Sequence, residues 1–161
     1  AKGYPPSVFA LLPNLIERGG VGRHGHGSIT SIYTVLAEGD DGNDPIVDIA
    51  RASLDGQVML SRRLADQAHY PAIDLNGSIS RVMQTLVSPD ELKQSNKLRR
   101  LWSVYQQNAD LVQVGAYESG SNPELDEAIR IREQMVDFLR QDMDKGEDYA
   151  MTRNQLSHML S

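Results

Sequence analysis

The sequence predicts two parts of different class, an α/β segment over residues 1–87 followed by an all-α segment over residues 88–161. Three observations carry this. Residues 28–37 (SITSIYTVLA) are β-branched and largely apolar, the pattern of a strand buried on both faces of a parallel sheet. Shorter apolar stretches at 57–60 and 72–75 add two more strands, with helical stretches between them. Beyond residue 88 the strands stop and apolar residues recur at helical spacing, at Leu92, Leu98, Leu101, Trp102 and Tyr105.

The elements follow in order. Residues 5–18 read as a helix: Pro5 and Pro6 suit a first turn, and Phe9, Leu12, Leu15 and Ile16 recur at helical spacing. Pro13 inside that pattern implies a kink or a late start, and Gly19-Gly20 ends it. Residues 19–27, rich in glycine and histidine, read as a loop. The strand at 28–37 leads into an acidic turn at 38–45. A short helix at 46–54, the strand at 57–60 and a helix at 61–67 with Ser61 as N-cap come next. Ser88-Pro89-Asp90-Glu91 is a strong helix start, combining a cap, a first-turn proline and first-turn acids. Residues 109–117 read as a separate shorter helix, Ser121-Asn122-Pro123-Glu124 opens another long helix through Leu139, and residues 149–160 form a terminal one.

Composition excludes several classes. Hydrophobic residues make up 40% and charged residues 24% of the 161 positions, a globular balance. No apolar run approaches the length of a transmembrane helix. Sixteen basic against 22 acidic side chains give −6, and each half of the chain nets −3, so nucleic acid is not an expected partner. Without cysteine there is no disulfide, no thiolate zinc site and no thiol nucleophile, which fits a reducing cytoplasm. No G-x-x-x-x-G-K-[ST] phosphate loop occurs. The start at Ala1 without methionine, and a buried-type strand with few neighbours, suggest a piece of a longer protein.

Several constellations invite chemistry and fail on closer reading. Asp40, Asp41 and Asp44 suggest calcium, but Gly42 takes the third ligand position and no glutamate closes the loop. A capped, solvated turn is the better account. His24 and His26 have no further ligands nearby, so a flexible loop is expected and no metal site is assigned. Ser28 or Thr30 with His69 and Asp74 lacks the G-x-S-x-G elbow of a hydrolase. The stripe Leu98, Leu101, Trp102 and Tyr105 reads most simply as bundle core.

A set of motifs in fixed order is more specific. Gly3-Tyr4-Pro5-Pro6-Ser7-Val8-Phe9-Ala10, Gly27-Ser28-Ile29-Thr30, Asp44-Pro45-Ile46 after the acidic turn, Leu60-Ser61-Arg62, Tyr70-Pro71-Ala72-Ile73-Asp74, Ser78-Ile79-Ser80-Arg81 and Gly115-Ala116-Tyr117 succeed one another. From Gly3 to about Leu139 the chain resembles the C-terminal part of the flagellum-specific ATPases of type III protein export, relatives of the rotary ATP synthase α and β subunits. Val114-Gly115-Ala116-Tyr117 and Gly120-Ser121-Asn122-Pro123-Glu124-Leu125-Asp126 favour the flagellar branch over the virulence-type injectisome ATPases.

The resemblance implies the last portion of a RecA-like P-loop NTPase domain over 1–87 and a helical C-terminal domain over 88–161. It places the phosphate loop, the catalytic glutamate and the magnesium-serving acid upstream of Gly3, so the intact enzyme uses ATP and Mg²⁺ while this piece alone neither hydrolyses ATP nor holds it tightly. It makes Arg81 an arginine finger acting on a neighbouring subunit's nucleotide, a task suited to a planar, permanently charged guanidinium. Such fingers are worth on the order of 10³–10⁵ in turnover. An interface arginine in an ordinary ion pair is the plain alternative. It makes Tyr70 a wall for the adenine of its own subunit, with Tyr117 a second wall; a tyrosine capping the sheet is the alternative for Tyr70. It further implies a homohexamer in the cytoplasm, peripheral to the membrane export gate, meeting export-apparatus proteins, export substrates and chaperones. A helical docking module without chemistry is the rival from another class.

Overall fold

The computed structural model describes residues 3–37 and 44–161. They form two compact units, Ala1–Gln57 and Val58–Ser161.

In the first unit, α1 (Pro6–Ile16) starts on proline, whose fixed φ suits a first turn, and carries Pro13 within it. Ile16 is buried, and Val8, Phe9 and Leu12 are half-buried on the same face. Leu15 is half-exposed at 47% and lies off that stripe, unlike the sequence reading. Helix α2 (Pro45–Ser53) is capped by Asp44, whose Oδ1 accepts from the Ile46 N–H at 2.8 Å. It packs on α1 and buries Ala50. Asp44 itself is 6% exposed, so this end of the acidic turn is a buried cap rather than a solvated one. Asp40, Asp41 and the rest of residues 38–43 lie outside the described residues.

The predicted strand at 28–37 is formed over two residues. Strand β1 (Gly20–Val21), within the predicted loop, pairs antiparallel with β2 (Ser28–Ile29), Gly20 opposite Ile29 and Val21 opposite Ser28. Beyond it Ile32 is 92% and Leu36 89% exposed. The run has the composition of a buried strand, but among the described residues no other strand pairs with it. Composition encodes burial; the ladder that realises it needs partners.

Strand β3 (Gly56–Leu60), of which Val58–Leu60 lie in the second unit, pairs with β4 (Ile73–Ser80). The Met59 N–H meets Ser78 Oγ at 2.9 Å and the Ser61 N–H meets the Ala72 carbonyl at 2.8 Å, so the two chains run in opposite directions there. Strand β4 runs five residues past its predicted end. Helix α3 (Arg62–Asp66) starts under the Ser61 hydroxyl, as expected, and α4 (Met83–Leu86) is one short turn.

Helix α5 (Pro89–Gln113) opens on a complete capping box: Ser88 Oγ accepts from the Glu91 N–H at 3.3 Å, and Glu91 Oε2 accepts from the Ser88 N–H at 2.7 Å. It absorbs the separate helix expected from residue 109, since no breaker interrupts 106–113. Asn122 caps α6 (Pro123–Arg130). The predicted single helix then bends at Ile131 and continues as α7 (Arg132–Leu139). The bend keeps Leu125, Ala128, Ile131 and Met135 all buried, at 2% exposure or less. With Leu98, Leu101 and Trp102 of α5 most of these make the core, and Leu156, Met159 and Leu160 of α8 (Tyr149–Leu160) pack against it. The apolar stripe read from the sequence is therefore bundle core. Among the described residues no helix is long and apolar enough to cross a membrane.

Candidate functional site

Arg81 follows the last residue of β4 and is exposed. The strand leading to it is irregular. Asp74 Oδ1 accepts from the Asn76 N–H at 3.0 Å, and the Ser78 hydroxyl donates to the Asp74 carbonyl at 2.6 Å. A Cβ on Gly77 would stand 2.8 Å from Asp74 Oδ2 and 3.4 Å from Met59 Cβ, so a side chain fits there only if the Asp74 carboxylate moves aside. Asp74 is thus spent on its own strand and is not a hydrolytic acid.

Tyr70 is built from the other direction. It follows α3, precedes Pro71 through a cis peptide bond, and keeps 56% of its surface exposed while its hydroxyl donates to the Ala65 carbonyl at 3.3 Å. The segment is held on the helical bundle. Its carbonyl accepts from the Gln141 N–H at 3.0 Å just past α7, and Arg63 Nη2 donates to Gln106 Oε1 of α5 at 2.9 Å. Its neighbour His69 is 4% exposed, with its ring 6.5 Å from the Trp102 indole. Burial holds the His69 pKa below its usual 6.5; the Arg140 charge adds to this, and a hydrogen bond to the Leu139 carbonyl partly opposes it. The imidazole is therefore a neutral anchor rather than a base facing solvent.

Tyr70 borders an open groove of about 1170 Å³, with Phe138, Arg140, Gln141 and Met159 among its other walls. An exposed phenol ring beside mixed apolar and cationic walls fits a flat, polar-edged ring such as a nucleobase. Neither Arg81 nor Tyr117 lines that groove. The Tyr117 hydroxyl donates to Asp126 Oδ1 at 2.9 Å and lies 3.1 Å from the Asn122 carbonyl. Asp126 also accepts from the Gly120 N–H at 3.0 Å, so Tyr117 and Asp126 together close the turn between α5 and α6. Among the described residues no three His, Asp or Glu side chains gather as a metal site.

Sequence reasoning missed the residues that hold these positions. His69 enters the sequence analysis only as a rejected partner of Asp74, and Gln141 sits in a stretch whose spacing carries no motif; a tertiary hydrogen bond leaves no local signal.

Two family models match in succession, leaving residues 81–86 between them. Residues 1–80 match the nucleotide-binding domain of the ATP synthase alpha/beta family, and residues 87–158 match the C-terminal domain of the type III secretion EscN ATPase. Together these matches show homology to the type III ATPases, relatives of the ATP synthase alpha/beta family, over nearly the whole chain. It is 54% identical over 160 residues to the flagellum-specific ATP synthase of Pseudomonas aeruginosa, covering 99% of this chain and 36% of that one. Against the Salmonella typhimurium flagellum-specific ATP synthase it is 55% identical over 148 residues, covering 92% and 32%. The type 3 secretion system ATPase of Pseudomonas savastanoi is 45% identical over 141 residues, covering 88% and 31%. The chain therefore spans about a third of the length of the curated relatives it matches. Among solved structures it superposes on the assembled ATPase EscN of enteropathogenic E. coli with a TM-score of 0.93 at 41% identity, over 99% of this chain and 38% of that one. It also matches EscN in complex with its central stalk EscO, at a TM-score of 0.88 and 38% identity, over 99% and 37%.

Proposed function

We propose that this chain is the C-terminal part of a flagellar protein-export ATPase that hydrolyses ATP to drive export of flagellar proteins. Residues 1–87 end its RecA-like domain and residues 88–161 form its helical domain. The observation that carries the reading is the exposed Arg81 at the exit of β4, on a chain that aligns over nearly its full length with flagellum-specific ATP synthases. The two highest identities among these relatives, 54% and 55%, are to flagellum-specific ATP synthases, which favours the flagellar branch.

Arg81 acts as the finger across a subunit boundary. Its guanidinium bridges phosphate oxygens of a neighbour's ATP as negative charge builds there. Tyr70 supplies a stacking face for the adenine of its own subunit; Tyr117, the second wall that the resemblance implies, stands outside the groove that Tyr70 borders, its hydroxyl held by Asp126. Mg²⁺ neutralises charge on the phosphates when bound, and no residue of this chain is assigned as its ligand. The intact protein works as a homohexamer in the cytoplasm, beside the membrane export gate, where it meets apparatus proteins, substrates and chaperones.

The test is hydrolysis and export together. The whole protein should turn over Mg-ATP, the 161-residue chain should not, and disrupting the gene should stop filament growth. Normal filaments in the disrupted strain, with loss of virulence-type secretion instead, would move the reading to the injectisome branch.

A further inference from the structure

Strand β4 pairs with β3, and Arg99 of α5 also reaches it. Arg99 Nη1 donates to the Leu75 carbonyl at 2.9 Å and to the Ser78 carbonyl at 2.9 Å. In a regular strand the carbonyls of residues three apart point to opposite edges. Here both meet one nitrogen, so β4 departs from the regular pleat between them, as at a bulge. The Asp74 and Ser78 hydrogen bonds and the tight passage at Gly77 fall in the same stretch. Ser78 is tied a second time, its hydroxyl accepting from the Met59 N–H of β3 at 2.9 Å. The irregular stretch of β4 is thus held by α5 and by β3, with Ser78 three residues before Arg81. Arg99 itself is half-buried on α5, one position after core residue Leu98.

We propose that Arg99 is a positioning residue for the reaction: it fixes the bend in β4 and so sets where Arg81 stands relative to the nucleotide across the boundary. This rests on the reading of Arg81 as the finger. The physical reason is geometric. A cation donating two hydrogen bonds to backbone carbonyls in a partly buried site holds them far better than water does. A displacement of about 1 Å at a reacting charge can cost about 10²-fold in rate even when the substituted residue touches no substrate. The same clamp couples the strand to α5, so the helical domain sets the finger's register.

The experiment is a double-mutant cycle on the whole assembled protein, with Arg81→Ala, Arg99→Met and the pair, reading kcat and KM for Mg-ATP separately. Arg99→Met should lower kcat about 10–100-fold and leave KM within about threefold. The pair should be no slower than Arg81→Ala alone, because a finger that is absent cannot be misplaced. Arg99→Lys, which keeps the charge but is one bond shorter, should lie between Arg99→Met and the unsubstituted protein. If Arg99→Met has normal kcat, or its loss multiplies with that of Arg81→Ala, the proposal is overturned while the Arg81 reading stands. If Arg81→Ala itself turns over normally, the Arg81 reading falls and takes the proposal with it. Should Arg99→Met fail to fold, the same cycle run with Arg99→Lys decides, and multiplying losses overturn the proposal there equally.

Discussion

The imidazole of His69 lies 6.5 Å from the indole of Trp102, the rings inclined at 43°, and both residues are buried. This contact fastens the segment that carries Tyr70 to the centre of α5. Because His69 has a lowered pKa in the folded protein, the unfolded chain binds more protons just below pH 6.5. The contribution of neutral His69 is complete above that pH and is lost as pH falls through the folded value. We expect the melting temperature to drop as pH is lowered from 7 toward 5, and His69→Gln to flatten that slope. Trp102 is the sole tryptophan, so its fluorescence reports the same transition locally. A slope unchanged by His69→Gln would contradict this assignment.

Glu91 joins three elements: it completes the Ser88 capping box, pairs with Arg153, and accepts from the Tyr149 hydroxyl at 3.3 Å. The Ser88 hydrogen bonds chiefly, with Arg153 and Tyr149 adding to them, hold its carboxyl below the usual range. Its stabilising charge is therefore present above about pH 4.5 and is lost as pH falls through the folded value. Glu91→Gln should speed amide exchange throughout α8 at neutral pH while the α6 and α7 amides stay protected. Ser88→Ala should cost about 1 kcal/mol, read from denaturant midpoints.

Core substitutions should separate by volume. Leu101 and Met135 are both at 0% exposure. Leu101→Ala should cost about 2–5 kcal/mol, whereas Met135→Leu should cost less than about 1.5 kcal/mol. Calorimetric melting of the two variants checks the contrast.

Gly77→Ala should disturb the end of β4, because the new methyl meets the Asp74 carboxylate at 2.8 Å. Asp74 is a side chain that can swing, so Asp74→Ala in the same protein should restore part of the lost stability. Thermal melting of the two single variants and the pair measures that recovery, and an additive loss would refute the assigned clash.

Legibility in the sequence followed the range of the forces. Ser61, Ser88 and Asn122 caps act within three residues, and each was readable from its own tetrapeptide. The bundle core was readable because Leu98, Leu101 and Trp102 repeat with the helix. The bend at Ile131 was not, since it answers the packing of α5 rather than a local breaker. Residues 28–37 misled because their apolar run describes an environment that described neighbours do not supply. At the site, Arg81 and Tyr70 were marked by motifs, while Arg99, His69 and Gln141 act across 21 to 71 residues of chain and left no pattern.

The central claim is that Arg81 acts on a neighbour's transition state, and mixing subunits measures it most directly. Whole protein carrying Arg81→Ala should bind nucleotide within a few fold of normal while turnover falls by about 10³ or more. Mixed with subunits disabled in their own phosphate loop, it should regain part of that turnover, because an intact loop then meets an intact finger. Normal turnover by Arg81→Ala, or a complete loss that mixing never relieves, would contradict the account.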